Sequence, residues 1–292
     1  MMKRNMSDSG YGMLLSLPGL TILLAWVLIP LIFVIILSFY RYDNMSPVVF
    51  TGFDNFREVM TRSIFLDTLK RTLIFTFGST GLTLATSLLL AACLNRITKL
   101  SAVFRSLVVM PWAVPLILSG FLWAWMFNPS FGPVPDLLMK LGLTAKPLNI
   151  FENPAFSMMG VIIGDAWRRI PFLTIITLAA FQSIEEELYD ATKVDGADSL
   201  QSFMYVTLPL ASRPIMIGTL IILMFSMRSI DTIYSMTPGG GYGKSTYVLG
   251  AYLFDSLYEF LNFGHAAALS VVLILLTFVV GAYFIYITVR ND

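Results

Sequence analysis

Residues 14–40 read LLSLPGLTILLAWVLIPLIFVIILSFY, with no charged side chain anywhere in the run. A bilayer core about 30 Å thick asks for about 20 mostly apolar residues per helical span, so this stretch is long enough to cross one. It is too long for the 7–15-residue apolar core of a signal peptide, and no small-residue cleavage site follows it. The reading is a retained membrane helix. Five more stretches of the same kind follow, at approximately 72–94, 103–127, 157–181, 206–230 and 264–288. None shows the strict alternation of a membrane β-strand. The expected fold is therefore all-α and polytopic: one transmembrane domain over residues 1–292, with six spanning helices and both termini on one side.

The composition agrees. Of 292 residues, 57% are hydrophobic and 13% charged, with a mean hydropathy of +0.76; soluble domains carry about 25% charged residues. The lipid bilayer is thus a partner. A net charge of +1 gives no reason to expect nucleic acid. Cys93 and His265 are each the sole residue of their type, which removes disulfides, thiolate metal sites and histidine-based catalytic constellations.

Orientation from charge is close to balanced. With termini inside, Lys3, Arg4, Arg96, Lys99, Arg105, Lys193 and Arg290 crowd short inner segments. Arg41, Arg57, Arg62, Lys70, Arg71, Lys140, Lys146 and Lys244 spread over longer outer ones. Density favours cytoplasmic termini, while Lys70 and Arg71 argue the other way.

Residues 182–205, QSIEEELYDATKVDGADSLQSFMY, interrupt the apolar pattern. The plain reading of such a charge run is a solvated face. Leu188, Ala191, Val194 and Ala197, however, recur at helical spacing and predict a short amphipathic helix. Gly196 permits a sharp turn, and Leu208-Pro209 suits the first turn of the next helix.

Here the chain resembles a known family. Asp190-Ala191-Thr192, then Gly196, Val206 and Leu208-Pro209 match the spacing of the signature loop of ABC-transporter permeases, whose pattern is Glu-Ala-Ala, three residues, Gly, nine residues, Ile, any residue, Leu-Pro. The sugar-transporting branch is resembled by GFDNF (52–56), MPWAVP (110–115), WAWMFNPSFG (123–132), WRRIPF (167–172), FSMRSIDTIYSMTPGGG (225–241) and FGHAAALS (263–270). The resemblance implies a permease subunit of a sugar-type ABC importer in the bacterial inner membrane, non-catalytic, with cytoplasmic termini and no cofactor of its own. It further implies a second, different permease, a periplasmic solute-binding protein, and two ATP-binding subunits that hold ATP and Mg. The 182–209 loop is then the cytoplasmic coupling helix that docks on an ATPase subunit. Its expected contacts are carboxylates from Glu187, Asp190 and Asp195, apolar anchors from Tyr189 and Val194, and Ala191, Gly196, Leu208 and Pro209 shaping the loop.

TPGGGYGKST (237–246) looks at first like a phosphate-binding loop. A Walker A motif needs glycine five places before Gly243, where Pro238 stands, and a strand before it, where a membrane helix is expected. One span separates it from the coupling loop, so if that loop is cytoplasmic, as the resemblance implies, this one faces outward. A plain flexible loop is one reading. The resemblance implies another, contact with the binding protein through Gly239, Gly240, Gly241, Tyr242 and Lys244.

Ionisable groups within spans are costly and commonly functional. Helix four carries Asp165, Arg168 and Arg169, and Asp165 and Arg169 are spaced to pair. Helix five carries Ser226, Arg228, Asp231 and Tyr234 towards its outer end. Trp112, Trp123 and Trp125 on helix three and Trp167 on helix four suit the C–H faces of sugars, or equally packing and the interfacial belt. Pro111 and Pro115 predict a kink in helix three. The eleven polar and tryptophan residues, without the two prolines, are the candidates for the substrate path, and the basic pair leaves an anionic sugar open. The rival reading is an ion-coupled secondary transporter, which would show paired broken helices in related halves; no internal repeat is evident. A membrane enzyme would need a catalytic constellation, and none is present.

Overall fold

The computed structural model describes residues 8–97 and 99–290; Lys3, Arg4 and the side chain of Arg290, used above for orientation, lie outside what it describes. Apart from connecting loops, the described residues are helical, with one hairpin of two-residue strands, β1 (Tyr40–Arg41) and β2 (Val49–Phe50). The long helices are α1 (Asp8–Leu37), α3 (Ser63–Arg96), α7 (Pro154–Gln182), α10 (Leu208–Met227) and α13 (Phe263–Arg290). Among the described residues, four segments are long and apolar enough to span a bilayer, and one bent pair brings the number to five. The fold is all-α and that of a polytopic membrane protein. α7 runs for 29 residues and carries three charged groups near its middle, Asp165, Arg168 and Arg169.

The chain divides into two compact units, one formed by residues up to Arg62 with Leu253–Ile274, the other by Ser63–Tyr252 with Leu275 onward. In the first, Asn55 on α2 (Asp54–Thr61) is buried and donates to the carbonyls of Ser38 and Tyr40, each at 2.9 Å. The N–H of Gly264 donates to the Tyr42 carbonyl at 3.2 Å. A Cβ at Gly264 would collide with the Tyr40 carbonyl, so only glycine fits. The GFDNF and FGHAAALS landmarks thus meet on the same backbone segment.

In the second unit, α3 lies along α7 on a face of small polar residues. Thr68, Thr72, Thr76, Ser79, Thr83 and Ser87 are all fully or almost fully buried and recur every three or four residues. Small side chains let membrane helices approach closely, and the Ser87 hydroxyl reaches the Ile170 carbonyl at 3.0 Å. Towards the 182–209 segment this gives way to an apolar core of Ala91, Leu94, Leu178, Phe181, Ala211 and Ile215.

The third expected span is broken rather than kinked. α4 (Ser101–Val109) ends in a 3₁₀ turn over Met110–Ala113, and α5 (Leu116–Met126) departs at 99°. Val114 and Pro115 are extended, with ψ of 127° and 145°. Sterics of the Pro115 ring push the preceding residue out of the helical region, and Pro111 lacks the N–H that would carry a helix through.

The fifth span also differs from expectation. It begins early, at α9 (Ser199–Ser202), and passes through a π turn at Phe203–Thr207 into α10. A wide turn there accommodates the ring and missing N–H of Pro209. The helix ends at Met227, so Asp231 and Tyr234 do not belong to it; they sit on a separate short helix, α11 (Asp231–Met236).

Candidate functional site

The predicted amphipathic helix is present as α8 (Glu186–Val194). Ala197 lies beyond it. Gly196 has φ +77°, its N–H bonds to the Lys193 carbonyl at 3.1 Å, and the Ala197 N–H bonds to Thr192 at 2.9 Å. This is a Schellman ending, which calls for glycine because an L side chain strains in the left-handed region. Asp198 then caps α9 with a reciprocal bond from Gln201.

Side chains hold α8 against α9 and the π turn that leads into α10. Tyr189 Oη and Thr207 Oγ1 are 3.0 Å apart, and Thr192 Oγ1 and Ser202 Oγ 2.9 Å. Tyr189 is therefore turned inward and half-buried, as is Leu208, whereas Glu187, Asp190, Ala191, Val194, Asp195, Gly196 and Pro209 are exposed. Val194 is 88% exposed, an apolar side chain offered outward at the helix end. Asp190 pairs with Lys193 at 2.8 Å across an open surface. That hydrogen bond, and then the carboxylate charge, holds the Lys193 ammonium above its usual range. A cavity of about 240 Å³ lies behind the helix, lined by Arg96, Tyr189, Thr192, Lys193, Ser199 and Thr207 among others.

Asp165 and Arg169 pair as their spacing predicts, Nε to Oδ2 at 2.7 Å and Nη2 to Oδ1 at 2.9 Å. Their side chains are 1% and 7% exposed. Three hydroxyls complete the carboxylate: Ser79 on α3 donates at 2.5 Å, Ser229 at 3.1 Å and Ser226 at 3.5 Å. Buried ions persist only when paired and hydrogen-bonded, and this one is both. Arg168 has a long-range partner, its Nε–H donating to the Val114 carbonyl at 2.9 Å. It thereby satisfies a backbone acceptor freed where α4 and α5 break.

The aromatic candidates separate. Trp123 and Trp167 meet edge to face, with ring centroids 6.0 Å apart, beside Gly164, whose missing Cβ makes room for Trp123 and Met236. Trp112 lies 6.2 Å from Phe172 and, like Trp125, is half exposed. Arg228 is exposed just past the end of α10, its Nε–H on the Met224 carbonyl at 3.2 Å. Asp231 and Tyr234 are half-buried. α11 packs on α5 at Gly120, where a Cβ would run into Ser235.

The glycine loop is tightly folded. Gly239, Gly240, Gly241 and Gly243 all have positive φ. Thr237 and Thr246 join hydroxyls at 2.7 Å, and the Thr246 N–H bonds to the Gly240 carbonyl at 3.0 Å. The Lys244 ammonium sits 4.0 Å above the Tyr247 ring. A helix, α11, precedes it, so the strand of a phosphate-binding loop is missing here.

Ser79, Ser229 and Val114 are the site residues that sequence reasoning overlooked. The serine and threonine periodicity of α3 was the available signal for the first. The other two carry none, since their roles depend on where two helices break.

The family model described as "Binding-protein-dependent transport system inner membrane component" matches residues 81–289, and the chain belongs to that family. It is a transport component of the inner membrane, a permease subunit of an ABC importer. The trehalose/maltose transport system permease protein MalF of Thermococcus litoralis is 32% identical over 273 residues, 93% of this chain and 90% of that protein. The sulfoquinovosyl glycerol transport system permease protein SmoG of Agrobacterium fabrum is 29% identical, covering 99% and 93%. Among solved structures, a chain of a bacterial alginate ABC transporter, crystallised with its alginate-bound periplasmic protein, superposes with a TM-score of 0.77 over 96% of this chain and 94% of that one, at 21% identity.

Proposed function

We propose that the chain forms one half of the path by which a sugar or sugar derivative enters the cell, through a single transmembrane domain of six spans over residues 1–292. α7 and the broken α4–α5 segment supply the spans that composition alone leaves out. Both termini face the cytoplasm. A second, different permease completes the path, a periplasmic binding protein delivers the sugar, and two ATP-binding subunits hold ATP and Mg. The chain itself needs no cofactor and makes no covalent bond.

The observation that carries this reading is the α8 element. Its Schellman ending at Gly196 fixes a rigid elbow, its carboxylates and Val194 stand exposed, and two side-chain hydrogen bonds tie it to the fifth span. That is the form a docking helix needs, with charge-assisted bonding available at its rim and little motion lost between dock and membrane. The relatives' sugar substrates support the substrate class. Asp165 neutralises Arg169, so the pair adds no charge for an anionic sugar, and Arg168 and Arg228 remain the basic candidates.

The test is Gly196→Val in the reconstituted importer. No atom lies within 4 Å of the added Cβ position, so the substitution acts through backbone conformation. Binding-protein-stimulated ATPase and uptake should fall together while the permease still assembles. Unchanged coupled uptake in this variant and in Asp190→Ala would sink the docking role.

A further inference from the structure

One carboxylate joins segments that lead to opposite faces of the membrane. Ser229 sits in the non-helical link between α10 and α11, flanked by Arg228 (φ −105°, ψ 7°) and Ile230 (φ −130°, ψ −40°). The side-chain bond of Ser229 is its 3.1 Å contact to Asp165 Oδ1. From Ser229 the chain enters α11, which packs on α5 at Gly120 and continues directly into the glycine loop. From Asp165, α7 runs unbroken to Gln182, about 25 Å further at 1.5 Å per residue. After three intervening residues α8 begins. The bidentate Arg169 contact holds the carboxylate in place, so the hydroxyl of Ser229 meets a fixed acceptor rather than a mobile one.

We propose that Asp165 is a positioning residue whose hydrogen bond to Ser229 joins the outward-facing α11 and glycine loop to α7, so that docking on the outer loop is passed to the coupling helix. This rests on the importer reading above. The bond is placed where a change in the α10–α11 angle must either move α7 or break it. Ser79 serves as the internal comparison. It donates to the same carboxylate from α3, whose chain runs directly into neither α8 nor the glycine loop.

Spatial continuity alone does not establish coupling, so the experiment reads coupling itself. The complete importer carrying Ser229→Ala, Ser229→Thr or Ser79→Ala is reconstituted in nanodiscs, and the ratio of ATPase with sugar-loaded binding protein to ATPase without it is compared with wild type. Ser229→Ala should lower that ratio at least about fivefold, the lower end of measured couplings between sites. Ser229→Thr, which keeps the hydroxyl, should restore it, and Ser79→Ala should leave it within about twofold of wild type. A ratio preserved in Ser229→Ala, an equal loss in Ser79→Ala, or a failure of Ser229→Thr to restore would each overturn the joint. A wild-type complex that the binding protein does not stimulate would overturn the importer reading and the joint with it.

Discussion

Arg169→Met isolates the energetics of the buried pair. Asp165 is 1% exposed and draws two of its hydrogen bonds from the Arg169 guanidinium, the rest from hydroxyls. Methionine keeps most of the side-chain volume and removes the charge, leaving a carboxylate in an apolar interior with only neutral donors. Breaking a buried pair from one side costs about 3–5 kcal/mol, because the surviving charge is uncompensated. At about 2–4 °C per kcal/mol for a unit of this size, the apparent unfolding midpoint should fall by about 6–20 °C. The assay is thermal unfolding of the purified permease in detergent, followed by tryptophan fluorescence. The decisive comparison is Asp165→Asn with Arg169→Met, which leaves no charge behind and should recover at least half of the loss. A double variant no more stable than Arg169→Met alone would refute the claim that the unpaired charge is what destabilises.

Two further outcomes follow from local geometry. Gly240 has φ +91°, and a Cβ there would lie 2.6 Å from the Cβ of Tyr247, itself 1% exposed. Left-handed strain of about 1–2 kcal/mol then adds to overpacking of about 1–3 kcal/mol. Gly239 (φ +64°) has open space at its Cβ and carries only the first cost, so limited proteolysis of the 237–246 loop should accelerate far more for Gly240→Ala than for Gly239→Ala; equal rates would contradict the packing argument. Arg168→Gln removes a charged donor from the Val114 carbonyl, a bond worth about 1.5–3 kcal/mol. Spin labels at Leu107 and Leu122, in a Cys93→Ser background, should then report a broader distance distribution across the α4–α5 break, and an unchanged width would remove Arg168 as its brace.

The membrane character of the chain, the short α8 helix and its Gly196 turn were legible because each rests on local rules: apolar run length, helical spacing and the backbone freedom of glycine. The Asp165–Arg169 pair was legible for the same reason, being one helical turn apart. The limits fell where distant segments decide. Residues 103–127 read as one kinked span, yet two prolines and the extended Val114 turn the chain by 99°. Asp231 and Tyr234 read as part of helix five because nothing local marks the end at Met227. Tyr189 read as an outward anchor, and its contact with Thr207 is invisible until the loop closes on itself. The glycine loop was read as outward-facing, but its internal threonine clasp depends on residues nine apart meeting in space.

Under the proposed function, ATP on partner subunits drives transport through this chain and a delivered sugar gates it. The direct measurement is labelled-sugar uptake into proteoliposomes holding the complete importer, with ATP inside and binding protein outside supplied separately and together, at zero ion gradient. Uptake only when both are present is the predicted result. Uptake driven by a proton or sodium gradient with neither present would contradict it and point to the ion-coupled alternative.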